Sequence, residues 1–465
     1  MFKIFLLLSI FALTSTKEIE FLPGSDDVPI NFKHYSGYFN VSKTNFLHYW
    51  FVESQSDPRK DPLIFWFNGG PGCSSLEGIL KEMGPYVVNK DGTTLSENIF
   101  AWNKFASIVY TESPAGVGFS YSTDANVTTN DDQTALENYE AIKKFFVEFP
   151  SFRENPTFIM GESYGGVYVP TLASMIIDNM HIFKINLKGI AIGNGYLNAI
   201  LNVNSLVSFS YNHGIVSEKI WEILEDECCR KCVETCKLTE LDQNCSKLVE
   251  NIYEFVWSGG LNVYDMYREC DFYQGISINR LTTAIQNFIV LNHLLNNNFI
   301  VLNHLLKKFQ WSNTMKLDPP CLPDKDLVKY LHRRDVRMAI HIPEEVQAWD
   351  ICNEQVSLNY KMQYNDMTPF IKKIHEAKLR ILLYYGDTDL ACNFLMGQQF
   401  TANLKLTRTF DKKPWKFNGQ IAGFKTIYED NLTFLTIKGT GHMAPEWKPS
   451  QMQYVIEQFL LDRPI

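Results

Sequence analysis

A serine between two glycines, in the segment Gly161-Glu162-Ser163-Tyr164-Gly165, is the clearest chemical feature of this sequence. The glycines permit a tight turn that raises the Ser163 hydroxyl above the end of a sheet, where it can attack a carbonyl. The apolar run Thr157–Met160 precedes the turn and an apolar helical segment follows it, which is the context such a nucleophile needs. The motif alone is weak because glycine and serine are common. Its setting makes Ser163 a candidate nucleophile.

A serine nucleophile needs a base, and the base needs a carboxylate that orients it. Both types occur further along the chain, in the order serine, acid, histidine that hydrolases with this turn use. Gly386-Asp387-Thr388-Asp389 follows one apolar run, and Gly439-Thr440-Gly441-His442 follows another. Active sites of open α/β sheets lie at the carboxyl ends of strands, so these groups are expected near Ser163. The spacing does not choose between Asp387 and Asp389.

Acyl-transfer chemistry also needs hydrogen-bond donors for the oxyanion of the tetrahedral intermediate. The turn Asn68-Gly69-Gly70-Pro71-Gly72 follows the apolar run Leu63–Phe67 and exposes backbone N–H groups. The N–H of Tyr164, the residue after the nucleophile, would complete such an oxyanion hole. An ordinary glycine turn is the alternative interpretation of this segment.

Elements that could position these residues alternate along the chain. Short apolar runs predict buried strands at Leu63–Phe67, Ser107–Tyr110, Thr157–Met160, Leu187–Ile192, Arg380–Tyr385 and Leu432–Ile437. Helical periodicity predicts helices over Thr134–Phe149, Val167–Met180 and Ser450–Leu461, with Ser450 as an N-cap. The alternation predicts an α/β fold with a mostly parallel central sheet covered on both faces.

The segment from residue 201 to residue 320 departs from this alternation, because strand-like runs disappear and cysteines cluster. We interpret it as a largely helical cap insertion between two parts of the core, residues 17–200 and 321–465. Within it, Phe288–Leu295 recurs as Phe299–Leu306. A local duplication in a tolerant loop is the interpretation, since two copies are too few for a solenoid.

Composition and the N-terminus indicate an exported protein. The 465 residues carry a net charge of -9 without a basic block, which argues against a nucleic-acid partner. Residues 1–16 have the pattern of a cleaved signal peptide, and no later segment is apolar enough to span a membrane. Export is consistent with the ten cysteines. It also makes four sequons, Asn40, Asn126, Asn244 and Asn431, candidate glycosylation sites.

Several motifs in order resemble the serine carboxypeptidase family: Trp66–Ser75, Glu112–Tyr121, Gly161–Tyr164, Gly386–Asn393 and Gly441–Pro445. The similarity is strongest to its cathepsin A-like members, through Leu47–Ser54, Gln420–Phe424 and Phe434–Lys438. The resemblance implies the α/β-hydrolase fold and a triad of Ser163, Asp389 and His442. It also implies an oxyanion hole at the N–H groups of Gly70 and Tyr164, and a structural role for Asp387.

The resemblance further implies how a peptide substrate binds. Residues Asn68, Gly69, Glu82 and Glu162 are expected to bind its free C-terminal carboxylate, and Tyr264 to line the pocket ahead of the scissile bond. Two close carboxyls share a proton because both cannot ionise cheaply. A protonated carboxyl donates a hydrogen bond to a carboxylate, whereas an ionised one repels it. Activity is therefore expected to favour acid pH.

Disulfide pairings are implied in the same way. The family pattern pairs Cys73 with Cys352 and Cys270 with Cys321, and makes Cys392 a buried free thiol near the site. The cap insertion keeps an odd number of further cysteines. Cys228 is expected to pair with Cys245, and Cys229 with either Cys232 or Cys236, leaving one thiol unassigned.

The resulting interpretation is a serine-type carboxypeptidase that releases C-terminal residues through an acyl-enzyme on Ser163, with no cofactor or metal. Acyl transfer to another acceptor is one alternative, and a protective role toward lysosomal glycosidases in addition to catalysis is another. The retained residues Asn68, Glu82 and Glu162 favour the peptidase. A lysosomal or secreted location and a homodimer are expectations from the resemblance. Activation by cleavage near Leu295–Lys308 is left open.

Overall fold

The computed structural model describes residues 17–233, 235–270, 321 and 324–465. The predicted signal peptide and the duplicated segment lie outside these residues. The strands are β1 Lys17–Glu18, β2 His34–Asn40, β3 Asn45–Val52, β4 Leu63–Phe67, β5 Tyr86–Val88, β6 Leu95–Glu97, β7 Ser107–Thr111, β8 Tyr121–Ser122, β9 Thr157–Glu162, β10 Leu187–Gly193, β11 Arg380–Gly386, β12 Arg408–Phe417, β13 Gln420–Tyr428 and β14 Leu432–Ile437.

The α-helices in the same part of the chain are α1 Asp131–Glu148, α2 Gly165–Asp178, α3 Ala199–Asn212, α4 Glu218–Glu222, α5 Gln243–Ser258, α6 Lys325–His332, α7 Arg334–Ala339, α8 Glu354–Asn359, α9 Thr368–Glu376, α10 Phe394–Asn403, α11 Ala444–Trp447 and α12 Pro449–Leu460. Two π-helical segments, Gly78–Glu82 and Ile223–Cys228, interrupt the α-helical geometry. The first of them carries Glu82 and belongs to the site described below.

One large sheet forms the centre of the fold, in the order β1-β2-β3-β7-β4-β9-β10-β11-β14-β13-β12, with β8 paired to β3. The strands from β7 to β14 in this order run parallel, and they are the six strands that the apolar runs predicted. Antiparallel strands extend the sheet at both ends. The sheet therefore confirms the predicted α/β class.

Burial on both faces explains why the central strands are predominantly apolar. In β4, Phe65 packs into the core beneath α1 and α2, whereas Ile64 and Trp66 pack into the core beneath α12. Successive side chains of a strand point to opposite faces, so a strand between two helical layers needs apolar residues at every position.

The start of α12 differs from the prediction. Lys448 is the N-cap and Pro449 occupies the first helical position, whereas the Ser450 hydroxyl donates to Gln451 Oε1 at 2.9 Å. Proline suits this position because its fixed φ is helical and its missing N–H would be unpaired there in any case. The prediction of Ser450 as the N-cap was wrong.

Between residues 201 and 270 the described part of the chain contains helices and no strand. The structure forms the disulfides Cys73–Cys352, Cys228–Cys245 and Cys270–Cys321. Four thiols are free: Cys392, which is buried, and Cys229, Cys232 and Cys236.

The expected bond from Cys229 to Cys232 or Cys236 is therefore absent, which corrects that expectation. These three thiols are hydrogen-bonded to one another. Burial raises the pKa of Cys229 and Cys236, and the contact with Cys236 raises the pKa of Cys232. A raised pKa leaves little of the thiolate that disulfide formation requires.

The predicted glycosylation sites lie at the surface. The asparagines of all four sequons, Asn40, Asn126, Asn244 and Asn431, are exposed. No helix in the described ranges is long and apolar enough to cross a membrane.

Candidate active site

Ser163 occupies the sharp turn between β9 and α2. Its φ of 59° lies in the left-handed region, which is costly for a serine and is found mainly where surrounding contacts enforce it. The Ser163 N–H donates to Gly193 O at 3.1 Å, and the Ser163 carbonyl accepts from Gly166 at 2.9 Å and from Tyr196 at 2.8 Å. These hydrogen bonds on both sides of the turn stabilise the strained backbone conformation of Ser163, the candidate nucleophile.

The turn also demands glycine where the backbones approach closely. A Cβ on Gly161 would lie 2.4 Å from the Phe67 carbonyl oxygen of the neighbouring strand β4. Real Cβ atoms do not approach so closely, so residue 161 has to be glycine for β4 and β9 to pack as they do.

His442 and Asp389 meet at the carboxyl ends of β14 and β11. His442 Nδ1 and Asp389 Oδ2 are 2.8 Å apart, and both side chains are almost fully buried. The Asp389 carboxylate also accepts the N–H groups of Ala391 at 2.9 Å and Cys392 at 3.1 Å. An aspartate held in this way fixes the ring orientation of the histidine and stabilises its positive charge.

The opposite ring nitrogen of His442 is buried and has no hydrogen-bond partner among the described residues. A buried polar atom without a partner carries a cost that is usually offset by function. His442 Nε2 is thus available to accept the proton of an attacking hydroxyl. No hydrogen bond from Ser163 Oγ to His442 Nε2 is formed in this structure.

Asp387 has a different environment from Asp389. Its Oδ1 accepts a hydrogen bond from the Gly439 N–H at 2.6 Å, so Asp387 stabilises the turn that leads to His442. Burial raises the pKa of this carboxyl. The geometry brings Asp389, and not Asp387, into contact with the histidine, a choice that spacing had left open.

The glycine turn after β4 lies against the nucleophile. A Cβ on Gly69 would be 2.3 Å from Tyr164 N and 2.8 Å from Ser163 Cβ. Gly70 follows with φ of 108°, a conformation that favours glycine. Among the described residues, the N–H groups of Gly70 and Tyr164 have no acceptor. Two such donors beside a serine can receive an oxyanion.

Asn68 joins two buried glutamates next to this turn. Its Nδ2 donates to Glu82 Oε1 and to Glu162 Oε1, each at 3.0 Å, while its Oδ1 accepts from Trp66 Nε1 at 2.6 Å. Because the indole N–H can only donate, Trp66 fixes the amide with its NH₂ group toward the carboxyls. The remaining oxygens, Glu82 Oε2 and Glu162 Oε2, are buried without a partner among the described residues.

This arrangement changes the acidity of both glutamates. Burial is the main cause that raises the pKa of Glu82, to about 7. Burial, with repulsion from Glu82 and Glu77, raises the pKa of Glu162 well above its ordinary value. Asn68 Nδ2 bridges the two carboxyls, and each affects the ionisation of the other, so at acid pH the pair does not carry two negative charges.

Tyr264 covers the histidine from the side of the cap insertion. Its ring centroid is 5.1 Å from that of His442, and its carbonyl oxygen accepts the His442 N–H at 2.7 Å. The tyrosine thus lies at the reacting group, where a substrate side chain could contact it.

Comparison with known proteins is consistent with this geometry. Residues 23–462 match the family model described as serine carboxypeptidase. The chain belongs to the serine carboxypeptidase family. It is a hydrolase, a serine-type carboxypeptidase, as the sequence motifs predicted.

Similar proteins come from animals and yeast. The lysosomal protective protein of Mus musculus is 40% identical, covering 96% of this chain and 94% of that protein. A serine carboxypeptidase of Caenorhabditis elegans is 38% identical, covering 97% and 94%. The fold is similar to that of a prohormone-processing carboxypeptidase from Saccharomyces cerevisiae, with a TM-score of 0.74 at 21% identity over 97% of each chain.

One residue of the candidate site was missed by sequence reasoning. Asn194, at the end of β10, donates from Nδ2 to Asp389 Oδ2 at 2.8 Å and accepts the Gly386 N–H at 2.9 Å. Its φ of 38° turns the chain so that the amide reaches across to β11. The signal was present in the sequence, because Gly193-Asn194-Gly195 follows a predicted strand exactly as the other site motifs do.

Proposed function

We propose that this carboxypeptidase hydrolyses the last peptide bond of a substrate through an acyl-enzyme on Ser163. The observation that carries the proposal is the continuous arrangement of a buried His442–Asp389 pair, a strained serine turn and a buried carboxyl pair. The first two supply nucleophilic catalysis, and the third supplies recognition of a free carboxylate.

In the acylation step, His442 Nε2 takes the proton of Ser163 as the serine oxygen bonds to the scissile carbonyl carbon. The carbonyl oxygen becomes an oxyanion, which the N–H groups of Gly70 and Tyr164 stabilise. Asp389 stabilises the imidazolium, which then protonates the departing amine. In deacylation, His442 removes a proton from water as the water oxygen bonds to the ester carbonyl carbon. His442 then gives that proton to the Ser163 oxygen as the ester bond breaks and the shortened peptide leaves.

The carboxylate of the departing residue is bound by Asn68, Gly69, Glu82 and Glu162 in this proposal. A shared proton on the glutamates donates to the substrate, and a second negative charge would repel it. The raised pKa of Glu82 therefore favours binding at acid pH and weakens it as the pH rises through about 7. Such a pH dependence suits an acidic compartment.

A blocked dipeptide assay tests the assignment of the nucleophile. We expect Ser163→Ala to abolish release of the C-terminal residue while circular dichroism and thermal unfolding match the wild type. Activity retained in that variant would refute the assignment.

Acyl transfer to a non-water acceptor is disfavoured by the intact carboxylate site, since such a donor need not carry a free C-terminus. We further propose a lysosomal or secreted location, supported by exposed sequons, disulfides and similarity to a lysosomal protective protein. The homodimer and the protection of lysosomal glycosidases stay predictions. Sedimentation of the purified protein with and without a glycosidase measures both.

A further inference from the structure

The hairpin of β12 and β13 lies at one end of the central sheet. β12 is the last strand in the sheet order, and β13 is the strand that pairs with it among the described residues. Trp415 anchors one face of the hairpin, because its side chain is 2% exposed and its indole N–H donates to Thr436 O at 2.9 Å. Successive side chains of a strand point to opposite faces, so Pro414 and Lys416 point away from this anchored side.

The outward side of the hairpin carries five exposed side chains. Pro414 lies directly opposite Phe424, and Lys416 lies directly opposite Ile421, so the members of each pair share one face. Lys412 belongs to the same face, because its Nζ lies 6.0 Å from the centre of the Phe424 ring. The hairpin face, as we define it, consists of Lys412, Pro414, Lys416, Ile421 and Phe424, and each of them is exposed.

Three members of the hairpin face are apolar. Ile421 is 45% exposed and Phe424 is 42% exposed, and Pro414 lies beside Phe424 on the neighbouring strand. Single apolar side chains on a surface are normal, but these three adjoin one another across two strands. Removing such a stripe from water is favourable, so the stripe indicates a surface that becomes covered.

The charge of the hairpin is opposite to that of the whole chain. Residues 408–428 contain five cations and one anion, whereas the chain has a net charge of -9. The anion, Asp411, lies 3.7 Å from Arg408. Lys412, Lys413 and Lys416 form no ion pair with any of the described residues. Their positive charge is therefore available to an anionic partner.

Protection of a sheet edge explains only part of this composition. Lysine and proline on an edge strand prevent the addition of strands from other chains, and β12 has both. Exposed Ile421 and Phe424 on the same face would work against that protection, because they favour association. The combination of apolar and cationic side chains is better explained by a partner that is both apolar and anionic.

The dimensions of the hairpin face favour a membrane over a protein as that partner. Two strands span only roughly 10 Å, whereas a stable protein interface buries about 800 Å² on each partner. A bilayer needs no complementary shape. Apolar side chains enter its interface while neighbouring lysines bind anionic headgroups, as on amphipathic segments that lie in the membrane plane. A sulfated polysaccharide would bind the lysines but leave the apolar stripe in water.

We propose that the hairpin face binds reversibly to a bilayer surface that contains anionic phospholipid. Ile421 and Phe424 enter the interface, and the lysines bind the headgroups. This binding is peripheral and uses no membrane-spanning segment. The residues of the candidate active site lie on other elements, so the carboxypeptidase would remain open to substrate while it is bound.

Flotation of the full chain with phospholipid vesicles tests the proposal. The measurement is made at about pH 5, where the lysines are fully charged. It compares vesicles of phosphatidylcholine alone with vesicles in which about a third of the lipid is phosphatidylserine. We expect the protein to float with the anionic vesicles and not with the neutral ones, and a roughly tenfold rise in salt concentration to release it.

Variants of the hairpin face separate its two contributions. Lys412→Gln combined with Lys416→Gln should lower the partition coefficient on anionic vesicles at least about tenfold, because two cations no longer bind headgroups. Phe424→Ser should lower it severalfold, because less apolar surface enters the interface. Both variants should cleave a blocked dipeptide in solution at the wild-type rate, which shows that they are folded.

Matched controls change the same properties elsewhere on the surface. Lys184→Gln combined with Lys188→Gln removes two exposed lysines around the start of β10 and alters the net charge equally. Leu136→Ser removes an apolar side chain that is 43% exposed on α1, close to the 42% of Phe424. Both control variants should bind the anionic vesicles as the wild type does.

Three results would overturn the proposal. The first is that the wild type does not float with anionic vesicles, or floats equally when either hairpin variant replaces it. The second is retention on immobilised heparin without flotation, which would assign the lysines to a polyanionic glycan. The third is a dimer that dissociates in Phe424→Ser, again without flotation, which would assign the face to a contact between two copies. None of these results would alter the carboxypeptidase assignment.

Discussion

Replacing the shared-proton carboxyls should remove the acid dependence of substrate binding. Glu82→Gln and Glu162→Gln each substitute a neutral amide, which can donate as a protonated carboxyl does. Asn68 can still donate to the amide oxygen of the new glutamine, so the arrangement of residues 68, 82 and 162 is retained. The expected change is in the pH profile more than in the maximal rate.

The magnitude follows from the pKa of Glu82, which burial raises to about 7. The protonated share then falls from nearly all at about pH 5 to roughly a tenth at about pH 8. Wild-type kcat/KM should therefore fall about tenfold over this range from this group alone, whereas Glu82→Gln should fall less than about threefold. Glu162→Gln should fall by an intermediate factor, because the burial that raises the pKa of Glu82 remains. Dividing the wild-type pH profile of kcat/KM by that of a variant cancels the effect of any ionisation that the two proteins share.

The assay is release of the C-terminal residue from a blocked dipeptide below KM, measured across this pH range. Glu137→Gln, which changes a buried glutamate away from the site, should retain the wild-type profile. A substrate with a C-terminal amide carries no charge to be repelled, so its cleavage should show the weaker decline even with the wild type. If kcat/KM of both site variants fell with rising pH as steeply as that of the wild type, the shared-proton reasoning would be refuted.

Further predictions concern the backbone, the acid and the cap insertion. Gly69→Ala should lower kcat at least about a hundredfold with a native circular dichroism spectrum, because its Cβ would lie 2.3 Å from Tyr164 N at the oxyanion site. Asn194→Ala should lower kcat about tenfold with little change in KM, because the triad carboxylate loses a donor; an unchanged kcat would remove its positioning role. Replacing both Cys228 and Cys245 by serine should destabilise the protein by about 3 kcal/mol, as expected for a loop closed across 17 residues, and an unaltered Tm would contradict this.

The central part of the fold was predictable from the sequence because its strands are buried on both faces. The run Leu63–Phe67 is apolar throughout, and Leu432–Ile437 is apolar apart from two threonines; the structure gives both the same bounds. The antiparallel ends of the sheet carry no such signal. In Arg408–Phe417 most side chains are exposed and several are lysines, so hydrophobic periodicity is weak.

A turn signal could still have located that hairpin. Asn418-Gly419 connects β12 to β13, and both residues have positive φ, at 48° and 76°. An Asn-Gly pair between two extended segments is a strong indication of a two-residue hairpin. Turn chemistry, and not apolar burial, was the informative feature at this end of the sheet.

The candidate site was predictable to the extent that its residues lie in turns after strands. Ser163 and His442 could be found in this way, whereas spacing left Asp387 and Asp389 open. The family resemblance selected Asp389, and in the structure Asp389 is the aspartate that contacts His442. Glu82 carried no signal from spacing, because a single glutamate in a helix is normally solvated. Its significance arises from its burial and its contact with Asn68, which depend on how the elements pack.

The central claim, a nucleophile at Ser163, is tested most directly by covalent labelling with a fluorophosphonate. Its phosphorus forms an ester with a reactive serine oxygen as fluoride leaves, and peptide mass spectrometry locates the ester. We expect one label per chain, on the peptide that contains Ser163, with peptidase activity lost in proportion and with no labelling of Ser163→Ala. Inactivation accompanied by labelling of a different residue, or full activity after complete labelling of Ser163, would contradict the account.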